Sequence, residues 1–425
     1  MPGILLGWED EERASFGFEH KTPEPPSNEL ISFEGDEPIC IIAPTGAGKG
    51  RDFILPNILT HDGPLIVVDI KGELAEVCAR RRMEMGYDVA VLDPFMITSF
   101  RGARLNPFDL LDLPGSQLDS DAEMLAAQMG EGKRSEKDPF WSDQASSLVA
   151  GLIAAAYSVR WQRECSPCRL VEYLFADDVS YDLAVMLDTI GKGLPKFAYR
   201  AIAGFLQAPE NNTRPSILST AQTFVRALGS EAVQACLTQS SIKLDDVIAG
   251  RPLDVFIVIP PNKLQSHAAL IRLWVGALLT AIMQRRELPE KRTMMVLDEA
   301  AQLGTFGPLL TACTLLRGFG LQLVTVWQDV AQMKSLYALN ASTILNNAGA
   351  ILSFGQGHYA GAKESSEVLG VPLGELLKLP RDKAVLSIRG EGTRVIRRLN
   401  YLEDAMFSGM ADPNPYHKWR DGRGQ

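Results

Sequence analysis

The chain has 425 residues, 46% of them hydrophobic and 22% charged, with a formal net charge of −10. This is length enough for two or three domains and the composition of an ordinary globular protein with a large core. The acidic balance excludes a surface coated with basic residues, so any nucleic-acid contact is confined to a patch or channel. The six cysteines read as reduced thiols, and Cys165-Ser-Pro-Cys168 has no second pair to complete a metal site.

In chain order, the apolar patch over residues 1–8 runs at once into Glu9, Asp10, Glu11 and Glu12, which is not a signal peptide. Thr22-Pro-Glu-Pro-Pro26 reads as an extended linker or a loop between short strands. A strand over 39–42, a loop over 43–50 and a helix from Arg51 to about 59 follow. Asp62-Gly63-Pro64 then leads into a strand at 65–70, a helix at 74–85 and a strand at 88–92. Alternation of this kind builds a parallel α/β sheet.

From about 114 to 249 strand-like runs all but disappear. Amphipathic, alanine-rich stretches at 120–129, 143–161 and 216–228 predict a helical insertion that folds as its own bundle. Strands return at 253–259, 293–297, 321–327, 350–354, 384–388 and 394–399, with an apolar helix at 268–284. The expected division is therefore 1–113 and 250–425 for one α/β nucleotide-binding domain, interrupted by an all-α domain at 114–249. The longest apolar runs, 148–157 and 273–283, fall short of the roughly 20 residues that span a bilayer. No transmembrane segment is expected, and the basic stretch 389–398 reads as the solvated side of a strand.

The loop Ala43-Pro44-Thr45-Gly46-Ala47-Gly48-Lys49-Gly50 approximates the phosphate-loop pattern GxxxxGK[ST]. Ala43 stands where the first glycine belongs, and Gly50 replaces the Ser/Thr whose hydroxyl ligates Mg²⁺. Gly46 and Gly48 let backbone N–H groups turn toward an anion, the following helix adds its dipole, and Lys49 reaches the β/γ-phosphates. A glycine-rich turn without a ligand is the plainer reading. The position of this one, after an apolar strand and opening a helix, favours nucleotide.

The strand at 293–297 ends in Asp298-Glu299. At such a strand end the first acid holds Mg²⁺, directly or through water, and the second polarises the attacking water as general base. Read alone, the pair is as well explained by an N-cap ahead of Ala300-Ala-Gln-Leu303; the upstream phosphate loop tips the reading toward catalysis. Gln328 closes another apolar strand, where it would sense the γ-phosphate or orient water, although an ordinary strand-end glutamine looks the same. Arg317, in Leu315-Leu-Arg-Gly-Phe-Gly320, suits a helix C-terminus by its charge. In a ring ATPase the same place presents an arginine finger to a neighbour.

Several of these segments together resemble the TraG/TrwB-type coupling ATPases of type IV secretion and conjugation. They are Ile4-Leu-Leu-Gly7, Pro44-Thr-Gly-Ala-Gly-Lys-Gly50, Val68-Asp-Ile-Lys-Gly-Glu73, Asp93-Pro94, Asn106-Pro107-Phe108, Asp138-Pro-Phe-Trp141, Leu297-Asp-Glu-Ala300, Gly320, Trp327-Gln-Asp329 and Asn400-Tyr-Leu-Glu-Asp404. The resemblance implies a RecA-like P-loop domain with a mostly parallel sheet and an inserted all-α domain, working on ATP and Mg²⁺. It also implies Arg317 as the arginine finger and Gln328 as the glutamine sensor, since both follow Asp298 at the family's spacing, and makes a Gly-Lys-Gly loop ordinary.

The implied partners are further copies in a homohexameric ring, DNA with its relaxase or protein effectors, and the ATPases and inner-membrane components of the secretion channel. Such proteins usually carry an N-terminal membrane anchor. The resemblance here begins where that anchor would end, so the expected location is the cytoplasmic face of the bacterial inner membrane. Two other readings are a DNA pump for chromosome segregation or packaging and a receptor that uses nucleotide only to assemble. The first calls for a basic winged-helix appendage that the tail after Leu399 is too short to hold. Lys49, Asp298 and Glu299 speak against the second.

Overall fold

The computed structural model describes residues 3–10, 29–131, 139–161 and 164–416. The stretch 22–26 and Asp138 lie outside these residues. Eleven strands form one sheet: β1 (Ile4–Glu9), β2 (Leu30–Phe33), β3 (Ile39–Ile42), β4 (Leu65–Asp69), β5 (Asp88–Leu92), β6 (Leu253–Val258), β7 (Thr293–Leu297), β8 (Leu321–Trp327), β9 (Ala350–Phe354), β10 (Lys383–Ile388) and β11 (Gly392–Arg397). Their spatial order is β2-β1-β11-β10-β9-β3-β8-β7-β4-β6-β5. The run from β9 to β5 is parallel, and the remaining four strands are antiparallel. β1, six residues long, and β2, four, are the strands whose bounds the sequence pattern does not give; β1 pairs with β11, far along the chain.

The inner strands are buried on both faces, as parallel strands are. With a period of two, Ile39, Ile41, Leu65 and Val67 point to one side, and Cys40, Ile42, Ile66 and Val68 to the other. The first side is covered by α1 (Leu55–Thr60), α2 (Glu73–Glu84) and the C-terminal residues Leu399, Tyr401 and Phe407. Arg82 of α2 and Asp254 of β6 form a wholly buried ion pair at 2.6 Å there.

The other side is covered by helices between β5 and β6 and by later ones. Among the described residues no strand interrupts α3 (Leu118–Gly130), α4 (Phe140–Ser158), α5 (Pro167–Leu174), α6 (Val179–Ile190), α7 (Lys196–Gln207), α8 (Thr213–Val225), α9 (Glu231–Leu237) and α10 (Leu244–Ile248). Their apolar side chains join the sheet face in one continuous core, with Leu125, Leu148 and Ile202 in the same cluster as Ile66 and Val68.

The apolar helix α11 (Leu264–Met283) is longer than the run at 273–283 implies. Among the described residues, Pro261–Met283 is the one helix long and apolar enough to cross a membrane, yet 72% of its apolar window is buried inside the molecule. A helix apolar all round is what a buried core position requires. It is held there by Trp274 donating to the Leu105 carbonyl at 2.9 Å and Arg272 donating to the Gln128 carbonyl at 2.9 Å. The remaining α-helices among the described residues are α12 (Gly307–Leu315), α13 (Val330–Tyr337), α14 (Ala341–Asn347), α15 (Tyr359–Leu369) and the short α16 (Leu373–Lys378).

Candidate nucleotide site

Chain order and spatial order disagree at the centre of the sheet, and that disagreement builds the site. β3 and β4 follow each other in sequence, but β8 and β7 are inserted between them. All four are parallel, so the loops at their C-terminal ends open at one edge, the usual crevice of such sheets. β3 delivers the phosphate loop, β8 delivers Gln328, β7 delivers Asp298 and Glu299, and β4 delivers Asp69.

The loop takes its shape from two glycines. Gly46 has φ 78° and Gly48 φ 92°, in the left-handed region that favours glycine. Ala47 N–H donates to the Pro44 carbonyl at 3.0 Å, and Ala43 N–H donates to the Trp327 carbonyl at 2.8 Å, tying the loop to the end of β8. The helix expected from Arg51 begins instead with a wide π turn over Gly50–Ile54 before α1. Pro56 explains it: the ring lacks an N–H for the Asp52 carbonyl and would press against that group in a regular α turn. Thr45 and Gly46 are exposed at the crown of the loop, while Ala47, Gly48, Lys49 and Gly50 are partly covered.

Lys49 spans the crevice. Its Nζ donates to the Asp298 carbonyl at 2.6 Å and lies 3.2 Å from Asp298 Oδ1 and 3.3 Å from Glu299 Oε2. The buried Glu299 carboxylate also accepts from Gln328 Nε2 at 3.3 Å and from Gln332 Nε2 at 3.1 Å. Gln332 is fixed in turn, accepting from Gln328 N–H at 3.0 Å and donating its own N–H to the cap Asp329 at 2.7 Å. Sequence reasoning overlooks Gln332; the signal was its place four residues after Gln328, on the first turn of a helix capped by Asp329.

Asp69, which the sequence offers only as part of the segment 68–73 and without a role at the site, is a second group at the crevice. Its buried carboxylate accepts from the N–H groups of Lys71, Leu74 and Ala75 at 3.2, 2.9 and 3.0 Å, which sets the turn at Gly72 and the start of α2. Burial, reinforced by the charges of Asp298 and Glu73, pushes Asp69 up to about 7. Burial likewise raises Asp298 above its ordinary value, against the pull of Lys49.

A third is Arg398, which the sequence pattern assigns to a solvated strand. It is buried, stacks 3.9 Å from the Phe354 ring centroid, donates to the Ala47 carbonyl at 2.7 Å, and stands 3.4 Å from Asp52. Two arginines just before it that do face outward, Arg394 and Arg397, pair with Glu9 and Asp404.

The donor set suits phosphate together with a hard divalent cation. Asp298 Oδ1 is buried and has no hydrogen bond, only the ion pair with Lys49. The carboxyl groups of Asp298, Glu299 and Glu73 outnumber that one ammonium. Among the described residues no group of three or more His, Cys, Asp or Glu encloses a metal ion. Mg²⁺ needs no such cage, since it keeps waters and takes one or two carboxylates plus phosphate oxygens. Cys165 and Cys168 are both free thiols, raised by burial.

Arg317 is not brought to this crevice. It lies on the single turn Leu316–Phe319 ahead of β8, half-exposed, 3.9 Å from Asp36 and 3.8 Å from Glu37, which precede β3. The seven residues of β8, at roughly 3.3 Å each, separate it from Gln328 by roughly 20 Å along the strand.

The fold and crevice define a P-loop nucleotide-binding protein of the RecA-like class. The model of the family described as "Type IV secretory system Conjugative DNA transfer" matches residues 16–372, and the chain belongs to that family. It is 27% identical over 336 residues to conjugal transfer protein TraG of Agrobacterium fabrum, covering 77% of this chain and 49% of that protein. It is 27% identical over 330 residues to protein VirD4 of Rhizobium radiobacter, covering 74% of this chain and 45% of that protein. The chain thus spans about half the length of the curated relatives it matches. Among solved structures it is similar to unbound TrwBdeltaN70, a bacterial conjugative coupling protein, with a TM-score of 0.67, 15% identity and 85% of each chain covered. The plasmid coupling protein TrwB in complex with ADP and Mg²⁺ gives 0.65 at 16% identity, again over 85% of each chain. At these identities the likeness is one of fold.

Proposed function

We propose that this chain binds and hydrolyses Mg²⁺·ATP and uses the reaction to hand a DNA–relaxase complex or a protein effector to a type IV secretion channel. The observation that carries the proposal is the approach of Lys49 to Asp298 and Glu299, at 3.2 and 3.3 Å, beside a phosphate loop. A triphosphate cradled by the N–H groups of residues 46–50 competes for Lys49 and draws its ammonium from the carboxylates. Glu299 is then held by Gln328 and Gln332 alone, oriented to accept a proton from a water attacking the γ-phosphate. Bound Mg²⁺, beside Asp298, supplies charge neutralisation and polarises the phosphoryl oxygens.

The position of Arg317 favours assembly. Its side chain serves no phosphate in its own subunit, and a ring of like subunits, a homohexamer by family likeness, brings it to the next crevice. The division into a nucleotide-binding domain (1–113 and 250–425) and a cargo-selecting helical insertion (114–249) belongs to the same reading, as does a place at the cytoplasmic face of the inner membrane among channel ATPases and inner-membrane components. Because the insertion shares its core with the sheet, surface substitutions test its role better than deletion. Charge-reversing changes on exposed residues of α6 should alter cargo binding, read by pull-down with relaxase-bound DNA or effector, at unchanged ATP affinity. Unchanged cargo binding would make the helices a purely structural cover. For the site itself, the test is steady-state ATP turnover in the parent against Lys49→Ala: turnover that survives the substitution removes the phosphate-loop assignment.

A further inference from the structure

The three glycines of the phosphate loop are not alike. Gly46 and Gly48 occupy backbone conformations that call for glycine, whereas Gly50 is helical and its φ is open to any residue. What Gly50 contributes is the lack of a side chain where most phosphate loops place a hydroxyl. A Cβ built at Gly50 meets a single atom within 4 Å, Glu73 Oε1 at 3.8 Å. That is ordinary van der Waals contact, so Glu73 does not exclude a serine there; it faces the place where the serine oxygen would be.

Glu73 is also positioned. It opens α2 directly after the left-handed Gly72, in the turn set by the three N–H groups on Asp69. Its other oxygen, Oε2, accepts from Asn414 Nδ2 at 3.3 Å, and Tyr416 beside it donates to the Lys71 carbonyl at 2.9 Å. One carboxylate oxygen is therefore engaged by the C-terminal segment and the other is turned to the loop.

We propose that the Glu73 carboxylate takes over the metal-side role of the missing Ser/Thr hydroxyl, holding a divalent cation or one of its waters opposite Asp298. The inference rests on the nucleotide-site reading above. An anionic oxygen is the stronger partner for a hard cation than a neutral hydroxyl, and the exchange adds a negative charge on the metal side of the loop.

The experiment titrates Mg²⁺ into the full chain with a fluorescent N-methylanthraniloyl-ADP probe and reads the Mg²⁺ midpoint for nucleotide binding. Glu73→Gln keeps the shape and the acceptor for Asn414. It should raise that midpoint about tenfold, the usual cost of losing a supporting ligand, while binding in EDTA is unchanged or tighter. Gly50→Ser in the Glu73→Gln background should bring the midpoint back. Glu76→Gln, which removes an equal charge one helical turn away, should leave it in place. An unmoved midpoint in Glu73→Gln with a parent-like melting profile overturns the proposal. So does an equal shift in Glu76→Gln, which marks a diffuse charge effect, and so does failure of Gly50→Ser to restore binding. A parent chain that binds no probe at any Mg²⁺ concentration would instead remove the nucleotide-site reading itself.

Discussion

The two ends of β8 make opposite use of their polar residues. At the C-terminal end Gln328 joins a compact network in which Lys49, Glu299 and Gln332 bond within 3.3 Å. At the N-terminal end Arg317 is half-exposed and meets Asp36 and Glu37 only at 3.9 and 3.8 Å. Exposed pairs of that kind contribute about 0–1 kcal/mol. The first end holds its groups in a mutual network; the second leaves a half-exposed cation in loose pairs with two carboxylates. On the proposed function, one subunit would supply the phosphate cation, the metal-side acid and the base, and a neighbour's Arg317 the second cation.

Substitutions at the two ends should separate into different kinetic classes. The largest effect is expected at Lys49→Ala, which should abolish tight nucleotide binding and turnover together, measured by probe titration and phosphate release. Arg317→Ala should come next, with turnover down by about 10³-fold or more at unchanged nucleotide affinity, as for arginine fingers elsewhere. A binding defect in that variant would break the comparison, because it would put Arg317 on its own subunit's nucleotide. Glu299→Gln should lose turnover by about 10²–10⁴-fold while binding survives; parent-like turnover would move the general base elsewhere.

The smallest effect sharpens the picture of the crevice floor. Asp69 is held at about 7 when folded, against an ordinary 3.8. A raised pKa means that the folded state keeps a proton the unfolded state gives up. Its contribution to stability is full below about 4 and is lost as pH rises to about 7. Melting curves of the nucleotide-free chain across that window should therefore fall more steeply for the parent than for Asp69→Asn, which retains an acceptor for the N–H groups. Equal slopes would show that Asp69 is ionised like a surface carboxyl.

What could be read in the sequence was local. An apolar strand followed by a glycine-rich loop, and an apolar strand ending in two acids, are short-range patterns; they single out β3, β7 and the side chains of Lys49, Asp298 and Glu299, which the fold brings together. The inner strands were legible because parallel strands are apolar throughout. β1 was not, since its partner β11 lies far along the chain and its run carries no alternation of its own. The separateness expected of the helical insertion rested on composition, which cannot say what a helix packs against; its core proves continuous with the sheet face. Arg398 was illegible for the same reason. Its neighbours Arg394 and Arg397 face outward, and only the fold turns Arg398 inward to the Ala47 carbonyl. Gln332 was within reach, one helical turn beyond a glutamine already singled out.

If a complete site is shared between two subunits, mixing two inactive variants should restore it. Lys49→Ala keeps Arg317 but cannot hold nucleotide; Arg317→Ala holds nucleotide but offers no second cation. Each should be inactive alone, and an equimolar mixture at a concentration where the parent assembles should regain ATP turnover, because an intact crevice then faces an intact Arg317. Parent-like turnover by Arg317→Ala alone, or a mixture that forms mixed assemblies and stays as inactive as its components, would mean that no site is shared between subunits.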